Sequence, residues 1–420
     1  MRWERGMFGR FLLASGLANL ADGVALLAWV WVASMLTRDP GLIALVPMAL
    51  RLPWPLFAIP AGLVADRVDR RRLVVAMDLM RAVAFAGAAL ALWLASPLPV
   101  APLAGVSSMP LFAGLCLAAL TVGVAEVFRD NAAQTLLPAL VPSQDLEKAN
   151  GRLWSVEAVA NQLTGPALGA VLLGTLVAAP FMANALAYAL AGLMMAAIAG
   201  RFTPDRQAGS HWRADLAEAF RFMRRQPLLL WLACITGLWN LGDAMMVFSL
   251  VLHAQENIGL TAPQYGGILA AAAVGGMAAG LLGGWLPGRI GPSLTARLMC
   301  VCATLAYVAM AAVPSGLWLA GCYVVLEFCG ISWNIVSVST RQRLIPPDLL
   351  GRVNSLYRLL AWGMLPLGTL LAGQIISHAA PVIGRAEALT LPIWIGGGGL
   401  LLVMLVAQAP LRRYLPGRAA

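Results

Sequence analysis

Charged residues are scarce in this sequence. Only 11% of its 420 residues are Asp, Glu, Lys or Arg, whereas 60% are hydrophobic, and the mean hydropathy is +0.79. A water-soluble protein of this length could not bury so many apolar side chains and still present a sufficiently polar surface. The composition therefore excludes a soluble globular domain and predicts an integral membrane protein.

Metal-binding and nucleophilic groups are also sparse. The chain has three histidines and six cysteines, and every cysteine lies inside an apolar run without a Cys-x-x-Cys pair or a neighbouring histidine. This pattern favours small buried side chains over a disulfide or a zinc site, so no metal or other cofactor is expected. The nucleotide-binding pattern G-x-x-x-x-G-K-[ST] does not occur, which disfavours ATP-driven pumping. The sequence shows no grouping of a nucleophile with a base, so an enzyme is not expected.

Apolar runs long enough for a helix to cross a bilayer core of about 30 Å recur along the chain. The first run is too long for a signal-peptide core and lacks a small-residue cleavage site. We predict twelve spans, at residues 11–36, 42–64, 73–95, 109–129, 151–177, 180–200, 228–253, 264–286, 294–313, 316–339, 353–377 and 390–409.

The longest polar stretch follows the sixth span. We therefore expect an N-terminal six-helix bundle at 1–200, a cytoplasmic linker at 201–227 and a C-terminal six-helix bundle at 228–420. Apolar residues recur at helical spacing in the linker, at Leu216, Ala219, Phe220 and Met223. This spacing predicts an amphipathic helix that lies on the membrane surface.

Basic residues fall almost entirely on one side of the predicted spans. Of the 29 lysines and arginines, Arg38 and Arg385 lie on the opposite side, Arg51 and Arg81 lie within spans, and the rest share one side. Loops rich in Lys and Arg stay in the cytoplasm, so both termini are expected there, in a multi-pass protein of the inner (plasma) membrane. The net charge of +10 reflects these loops, and we do not expect a nucleic-acid partner.

The two halves of the sequence contain similar motifs in the same order. "NLAD" at 19–22 recurs as "NLGD" at 240–243, and "VPSQDLEKANGRL" at 141–153 recurs as "IPPDLLGRVNSL" at 345–356. These matches indicate a duplicated six-helix unit. Such repeats are typical of secondary transporters, whose substrate site lies at the repeat interface near the middle of the membrane.

"GLVADRVDRRR" at 62–72 concentrates six charged residues between spans two and three. Together with twelve spans in two groups of six, it resembles the signature loop of the major facilitator superfamily. The matching residues are Gly62, Asp66, Arg67, Arg70 and Arg71, whereas Asp69 replaces a glycine of the signature. The resemblance implies an all-α integral membrane fold of two pseudo-symmetric six-helix bundles, with a loop that latches the cytoplasmic gate through Asp66. A loop that only anchors the orientation is the alternative.

Residues 128–173 resemble the branch of this superfamily that includes bacterial enterobactin exporters and macrolide-efflux proteins. Within them, "GPALGA" at 165–170 resembles the fifth-helix motif that the superfamily associates with antiporters. Gly165, Pro166 and Gly169 match it, whereas Asn161 and Ala170 replace glycines. Close helix packing is the alternative role for these small residues.

Four acidic residues lie in predicted spans one, four, seven and ten, which line the central cavity in this superfamily: Asp22, Glu126, Asp243 and Glu327. An ionised carboxylate facing lipid costs roughly 2.5–3.5 kcal/mol, so each is expected to face a wet cavity or a partner. Asp22 and Asp243 are repeat-related and are the leading proton-coupling candidates, with structural pairing as the alternative. Proton coupling and structural pairing are also the two alternative roles for Glu327. Glu126 is expected to pair with Arg129, one helical turn later, with a proton-coupling or substrate role in the cavity as the alternative.

Other polar residues share these spans. Asn19 and Asn240 precede the two aspartates by three residues, and they are candidates to bind substrate or a neighbouring helix. Arg51 has no acid within a turn, so it is expected to pair with a distant acid such as Asp22 or to contact an anionic substrate group. Asp78 and Arg81 are expected to pair with each other. The tryptophans of these spans are candidates for stacking a drug, with packing favoured: Trp29, Trp31, Trp239 and Trp333.

These expectations combine into a secondary active transporter. The favoured function is a proton-coupled antiporter, acting as a monomer, that exports a small amphipathic molecule such as a drug or siderophore by alternating access. Its partners are then the small-molecule substrate, protons and the lipid bilayer. The alternatives are an importer of a small metabolite or lipid, and a non-transporting membrane sensor.

Overall fold

The computed structural model describes residues 6–65, 67–142, 146–203, 212–282, 285–312 and 315–415. Within these ranges the regular structure is helical, and no β-strand occurs. A chain in hydrocarbon must satisfy its backbone N–H and C=O groups internally, which an α-helix does within one segment. The all-α architecture predicted from the sequence is confirmed.

The first half of the described chain contains nine α-helices. They are α1 (Met7–Leu36), α2 (Pro40–Ile43), α3 (Leu45–Arg51), α4 (Pro53–Ala65), α5 (Arg70–Leu94), α6 (Met109–Leu140), α7 (Leu146–Glu157), α8 (Gly165–Thr175) and α9 (Ala179–Ala196). The second half contains nine more. They are α10 (Trp212–Arg225), α11 (Pro227–Glu256), α12 (Ala262–Leu282), α13 (Trp285–Ile290), α14 (Pro292–Ala312), α15 (Gly316–Leu344), α16 (Pro347–Trp362), α17 (Met364–Ile383) and α18 (Arg385–Tyr414).

Eleven helical segments of the described residues are long and apolar enough to cross a membrane, and they coincide with eleven of the twelve predicted spans. The remaining span, 151–177, is helical but interrupted by a π-helical turn at Ala158–Thr164. Pro166 has no backbone N–H to donate, and the N–H of Gly165 bonds to the carbonyl of Ala160, five residues back. This wider turn joins α7 to α8.

The chain divides into two compact units. Unit 1 comprises Met1–Gln207 with Thr261–Gly266, and unit 2 comprises Ala208–Leu260 with Gly267–Ala420. In unit 1, α1 packs against α8 and α9, and α5 packs against α6 and α9. In unit 2, α11 packs against α17 and α18, and α14 packs against α15 and α18. Each unit therefore repeats the same order of helix packing.

Helix α10 lies in the predicted linker. Its Ala219 and Met223 are buried in the core of unit 2, near Leu229 and Leu232, whereas Phe220 is 53% exposed. The helix thus directs part of its apolar side into unit 2 and leaves one aromatic ring outside. Its placement on a membrane surface stays a prediction.

Large apolar side chains also point away from both cores. Examples are Val83, Leu317 and Leu402, which are 72%, 87% and 63% exposed. Many large apolar side chains exposed in this way would be unfavourable in water, and they indicate contact with a membrane or a partner. These faces supply the lipid-facing surface that the hydropathy predicted.

Candidate functional site

Asp22 lies in a buried charge cluster where α1, α5 and α9 meet. Arg81 on α5 is fully buried, and its guanidinium contacts Asp22 Oδ1 at 3.2 Å and Asp78 Oδ1 at 3.0 Å. The Tyr188 hydroxyl on α9 donates to Asp22 Oδ1 at 2.5 Å, and its ring centre lies 4.1 Å from the Arg81 guanidinium carbon. Asp22 is therefore held by a cation and by a neutral donor, and the expected Asp78–Arg81 pair forms as well.

Arg129 extends this cluster. Its guanidinium contacts Asp78 and Asp130, each at 3.4 Å. The expected Glu126–Arg129 pair is wrong, because Arg129 turns towards the buried Asp78 on α5. A three-residue spacing makes two side chains neighbours on one helix, but a buried acid on another helix competes for the same guanidinium.

Glu126 instead pairs with Arg51. The Arg51 Nη1 atom lies 3.5 Å from Glu126 Oε1, and the Trp54 indole N–H donates to the same oxygen at 3.3 Å. Arg51 therefore meets a distant acid, as expected, but this acid is Glu126 and not Asp22. The Arg51 side chain is 40% exposed and that of Glu126 is 16% exposed.

Asp243 has different surroundings. The Tyr307 hydroxyl on α14 donates to its Oδ1 at 3.3 Å. A cavity of about 120 Å³ opens beside the carboxylate, lined by Trp239, Asp243, Leu326, Glu327, Gly330, Ile331 and Asn334. Within the described part of unit 2, neither Asp243 nor Glu327 has a Lys, Arg or His within 4.0 Å. Two carboxylates thus share one small cavity without a cationic partner among these residues.

The two asparagines that precede the aspartates make different contacts. The Asn19 amide donates to the Ser15 carbonyl of its own helix at 2.9 Å. The Asn240 amide donates to the Ala361 carbonyl at 2.9 Å, which ties α11 to α16. Asn240 therefore binds a neighbouring helix, one of the two roles expected for it. The Asn19 amide instead bonds within its own helix.

The loop at 62–72 is partly described. Asp66, the expected latch, lies outside the described residues, and Arg67 is exposed. Arg70 donates to the Thr135 carbonyl at 2.9 Å, and Arg71 donates to the Ile198 carbonyl. These two arginines therefore bind the ends of the neighbouring helices α6 and α9.

Asp69, which replaces a signature glycine, caps helix α5. Its carboxylate accepts hydrogen bonds from the backbone N–H of Arg72 at 3.0 Å and of Phe202 at 2.9 Å. Burial raises the pKa of Asp69, but these two hydrogen bonds and the charges of Arg71 and Arg72 outweigh it, so the pKa lies below its ordinary value of 3.8. The aspartate thus fastens the loop to the segment after α9.

Comparison with known protein families identifies the family of this chain. A model described as the Major Facilitator Superfamily matches residues 11–369. The chain belongs to the Major Facilitator Superfamily. It is therefore a multi-pass membrane transporter with the fold that the sequence predicted.

Individual proteins and solved structures are also similar to this transporter. Enterobactin exporter EntS from Escherichia coli O1:K1 / APEC is 25% identical over 358 residues, which is 84% of this chain and 80% of the exporter. Multidrug efflux pump Tap from Mycolicibacterium fortuitum is 27% identical over 420 residues, 94% of this chain and 95% of the pump. A bacterial homologue of iron transporter ferroportin in the inward-facing state superposes with a TM-score of 0.72 over 98% of each chain, at 16% identity, which shows the fold alone.

The antiporter-like motif packs α8 closely against α1 of the transporter. A Cβ atom at Gly165 would lie 2.6 Å from Gly23 Cα, and one at Gly169 would lie 2.3 Å from the Val24 carbonyl oxygen. Only glycine fits at Gly165 and Gly169, and the α1 residues that they contact directly follow Asp22 in the sequence. Pro166, between them, is buried. Gly368 has the same role in unit 2, because a Cβ atom there would lie 2.3 Å from the Leu241 carbonyl oxygen.

The tryptophans divide between packing and the cavity. Trp29 is buried, with its ring centre 5.2 Å from that of Phe85 and 5.1 Å from that of Phe181. Trp333 is buried and donates to the Thr236 hydroxyl at 3.0 Å. Trp239 lines the cavity beside Asp243. Packing therefore accounts for Trp29 and Trp333, whereas Trp239, although only 8% exposed, borders a cavity.

Sequence reasoning missed the residues that bind the two aspartates: Arg81 for Asp22, and the tyrosines Tyr188 and Tyr307. Only six tyrosines occur in the chain, and these two lie inside strongly apolar spans. A buried tyrosine hydroxyl needs a hydrogen-bond partner, so such tyrosines are a signal for a nearby buried acceptor. The sequence gives no spacing rule that joins them to the aspartates, because they lie on other helices.

Proposed function

We propose that this transporter is a proton-coupled antiporter that exports a small amphipathic molecule by alternating access. The relatives named for enterobactin export and multidrug efflux support the direction and the kind of substrate. The observation that carries the coupling is the cavity shared by Asp243 and Glu327, without a cation within 4.0 Å among the described residues.

The physical reason lies in the cost of an uncompensated carboxylate. Placing an ionised acid in apolar surroundings without a partner is expensive, and binding either a proton or a cationic group relieves that cost. Proton and substrate then compete for the same negative charge at Asp243 and Glu327. Such competition leads to exchange when the site reorients across the membrane only with a proton or a substrate bound, which is how an antiporter couples the two movements.

Asp22 has a different role in this proposal. Arg81 supplies a permanent positive charge at 3.2 Å from Asp22, whereas Asp243 has no such counter-charge within 4.0 Å among the described residues. We assign the proton-exchanging role to Asp243, with Glu327 beside it, and a positioning role to Asp22 in unit 1. In this proposal the two repeat-related aspartates have different roles.

Transport by the purified protein in liposomes tests this assignment. The probes are a set of fluorescent amphipathic cations, because a cationic group can compete with a proton at Asp243 and Glu327, and the drive is an imposed pH gradient. We expect Asp243→Asn to abolish gradient-driven transport of the probe that the parent protein carries, because the neutral amide cannot release a proton. Glu327→Gln is expected to lower it at least tenfold. The matched control is Glu387→Gln, an exposed residue at the start of α18.

The opposite results would remove the proposal. Undiminished gradient-driven transport in both Asp243→Asn and Glu327→Gln contradicts proton exchange at this cavity. Uptake into right-side-out vesicles, instead of extrusion, contradicts export and favours the importer. Binding without any movement of probe favours the sensor.

The loop at 62–72 and the orientation complete the proposal. We propose that both termini are cytoplasmic and that the loop acts at the cytoplasmic gate. The carbonyl contacts of Arg70 and Arg71 support a structural part of this role. The latch through Asp66 stays a prediction.

A further inference from the structure

Tyr307 places a hydroxyl group inside the apolar interior of unit 2. The residue is fully buried on α14, and its hydroxyl donates to Asp243 Oδ1 at 3.3 Å. Within the described part of unit 2, this carboxylate is the one hydrogen-bond partner of the hydroxyl. A buried hydroxyl without an acceptor is costly, so Tyr307 and Asp243 hold each other in place.

Two adjacent glycines of α18 set the distance between the helices that carry this pair. A Cβ atom at Gly396 would lie 3.2 Å from the carbonyl oxygen of Gly242, the residue before Asp243. A Cβ atom at Gly397 would lie 3.2 Å from the Cβ atom of Tyr307. Consecutive residues of a helix point in different directions, so one glycine contacts α11 and the next contacts α14. The absence of two methyl groups thus lets α11 and α14 approach the same stretch of α18.

The other ionisable groups around Asp243 do not replace this hydroxyl. Glu327 on α15 shares its cavity, and Tyr323 lies one helical turn before Glu327. The charges of α18 lie in its first and last turns. The remaining ionisable side chains described on α14 to α17 are exposed or bind elsewhere: Arg297, Arg341, Arg343, Tyr357, Arg358 and His378.

The Tyr307 hydroxyl favours the ionised form of Asp243. A hydroxyl bonds more strongly to an ionised carboxylate than to a neutral carboxylic acid, and a bond to the charged form favours that form. The negative charge of Glu327 acts in the opposite direction, because two like charges close together oppose ionisation. Tyr307 therefore helps Asp243 to release its proton, and without it the carboxyl group would keep the proton to a higher pH.

We infer that Tyr307 is a positioning residue that holds the Asp243 carboxylate beside the cavity and sets the pH at which the transporter exchanges proton and substrate. The contacts of Gly396 and Gly397 keep Tyr307 within reach of Asp243. This inference rests on the proposed proton exchange at Asp243, and it adds the group that controls that exchange.

Infrared titration of the purified full chain tests the inference without a substrate. The carbonyl band of protonated carboxylic acids that is missing in Asp243→Asn belongs to Asp243, and the loss of this band with rising pH gives a titration midpoint. We expect Tyr307→Phe to move this midpoint to higher pH by about one unit, because phenylalanine keeps the ring but cannot donate. The pH of half-maximal gradient-driven transport in liposomes should move in the same direction.

The glycine contact is tested on the same band. Gly397→Ala should move the midpoint in the same direction but by less, because its methyl group would displace Tyr307 and lengthen the hydrogen bond. Gly398→Ala is the matched control, since Gly398 is exposed on the same helix and a Cβ atom there meets nothing within 4 Å. Gly397→Ala combined with Tyr307→Phe should shift the midpoint no further than Tyr307→Phe alone. The melting temperature of each variant confirms that it is folded.

The possible failures are distinguishable. An unchanged midpoint in Tyr307→Phe, with Asp243 still titrating, overturns the inference and leaves the proposed function in place. A further shift in the double variant overturns the part assigned to Gly397, because the alanine would then act without the hydroxyl. Undiminished transport in Asp243→Asn removes proton exchange at this residue, and the inference falls with it.

Discussion

At the scale of single residues, two carboxylates at equivalent repeat positions have different partners. Asp22 and Asp243 occupy equivalent "NLAD" and "NLGD" positions. A buried guanidinium contacts the first at 3.2 Å, whereas the second accepts a hydrogen bond from Tyr307 at 3.3 Å. A permanent counter-charge stabilises an ionised acid, and a neutral donor does so less strongly.

Arg81 is the residue whose loss we expect to be most damaging in unit 1. Arg81→Gln leaves Asp22 and Asp78 without their shared cation, and breaking a buried pair costs about 3–5 kcal/mol. The free energy of unfolding in detergent should fall by this amount. Arg81→Lys keeps the charge but loses the planar guanidinium that contacts both acids. Its free energy of unfolding should therefore lie between those of Arg81→Gln and the parent protein. Equal stability of Arg81→Gln and the parent protein would contradict a structural role.

Asp69 predicts a pH dependence outside the membrane. Its pKa is lower in the folded protein than its ordinary value of 3.8, so its charge stabilises the folded state. This contribution is fully present above the ordinary value and is lost as the pH falls through the lower folded value. Asp69→Asn should therefore be less stable than the parent at pH 7, with a constant difference down to about pH 5.

Thermal unfolding at a series of pH values measures this difference. The gap between the parent and Asp69→Asn should begin to close only below the ordinary pKa of 3.8. A gap that closes between pH 7 and pH 5 would assign the effect to another group. No gap at any pH would show that the cap of α5 and the link to Phe202 contribute no stability.

At the scale of helices, glycine contacts fix how closely neighbouring spans approach. The crossing of α1 and α8 brings Gly165 against Gly23 and Gly169 against Val24, at distances that exclude a Cβ atom. In a membrane, helices associate through packing and not through the hydrophobic effect, so small residues at the crossing are the main attraction. The π-helical turn at Ala158–Thr164 directly precedes Gly165, so it sets the direction in which α8 enters this crossing.

Gly169→Ala is expected to destabilise this crossing. The added methyl group would lie 2.3 Å from the Val24 carbonyl oxygen, and overpacking of this kind costs about 1–3 kcal/mol. Gly280→Ala is the matched control, because its Cβ atom meets nothing within 4 Å and alanine stabilises a helix by roughly 0.5–1 kcal/mol. The free energies of unfolding should move in opposite directions. A neutral Gly169→Ala would show that α8 can shift away from α1 without cost.

At the scale of the whole molecule, the distribution of arginine predicts the orientation. The basic residues lie on one side of the spans, apart from Arg38 and Arg385 on the other and two within spans. Fluorescent protein fused to the C-terminus should fluoresce, since that protein matures in the cytoplasm. Alkaline phosphatase fused after Arg38 or after Arg385 should be active, because it needs the periplasm. Active phosphatase at the C-terminus would reverse the predicted orientation.

The sequence alone determined the class of molecule, because bilayer crossing depends on length and apolarity, which are properties of one segment. Eleven of the twelve predicted spans meet both criteria in the described chain, and the family follows from motifs within single loops and helices. Only the tertiary structure decided which charges pair between helices. Arg81 and Tyr188 are 59 and 166 residues from Asp22, and Arg51 is far in sequence from Glu126. Helical spacing relates neighbours within a turn, whereas contacts between helices depend on how the helices pack, which no spacing in the sequence encodes.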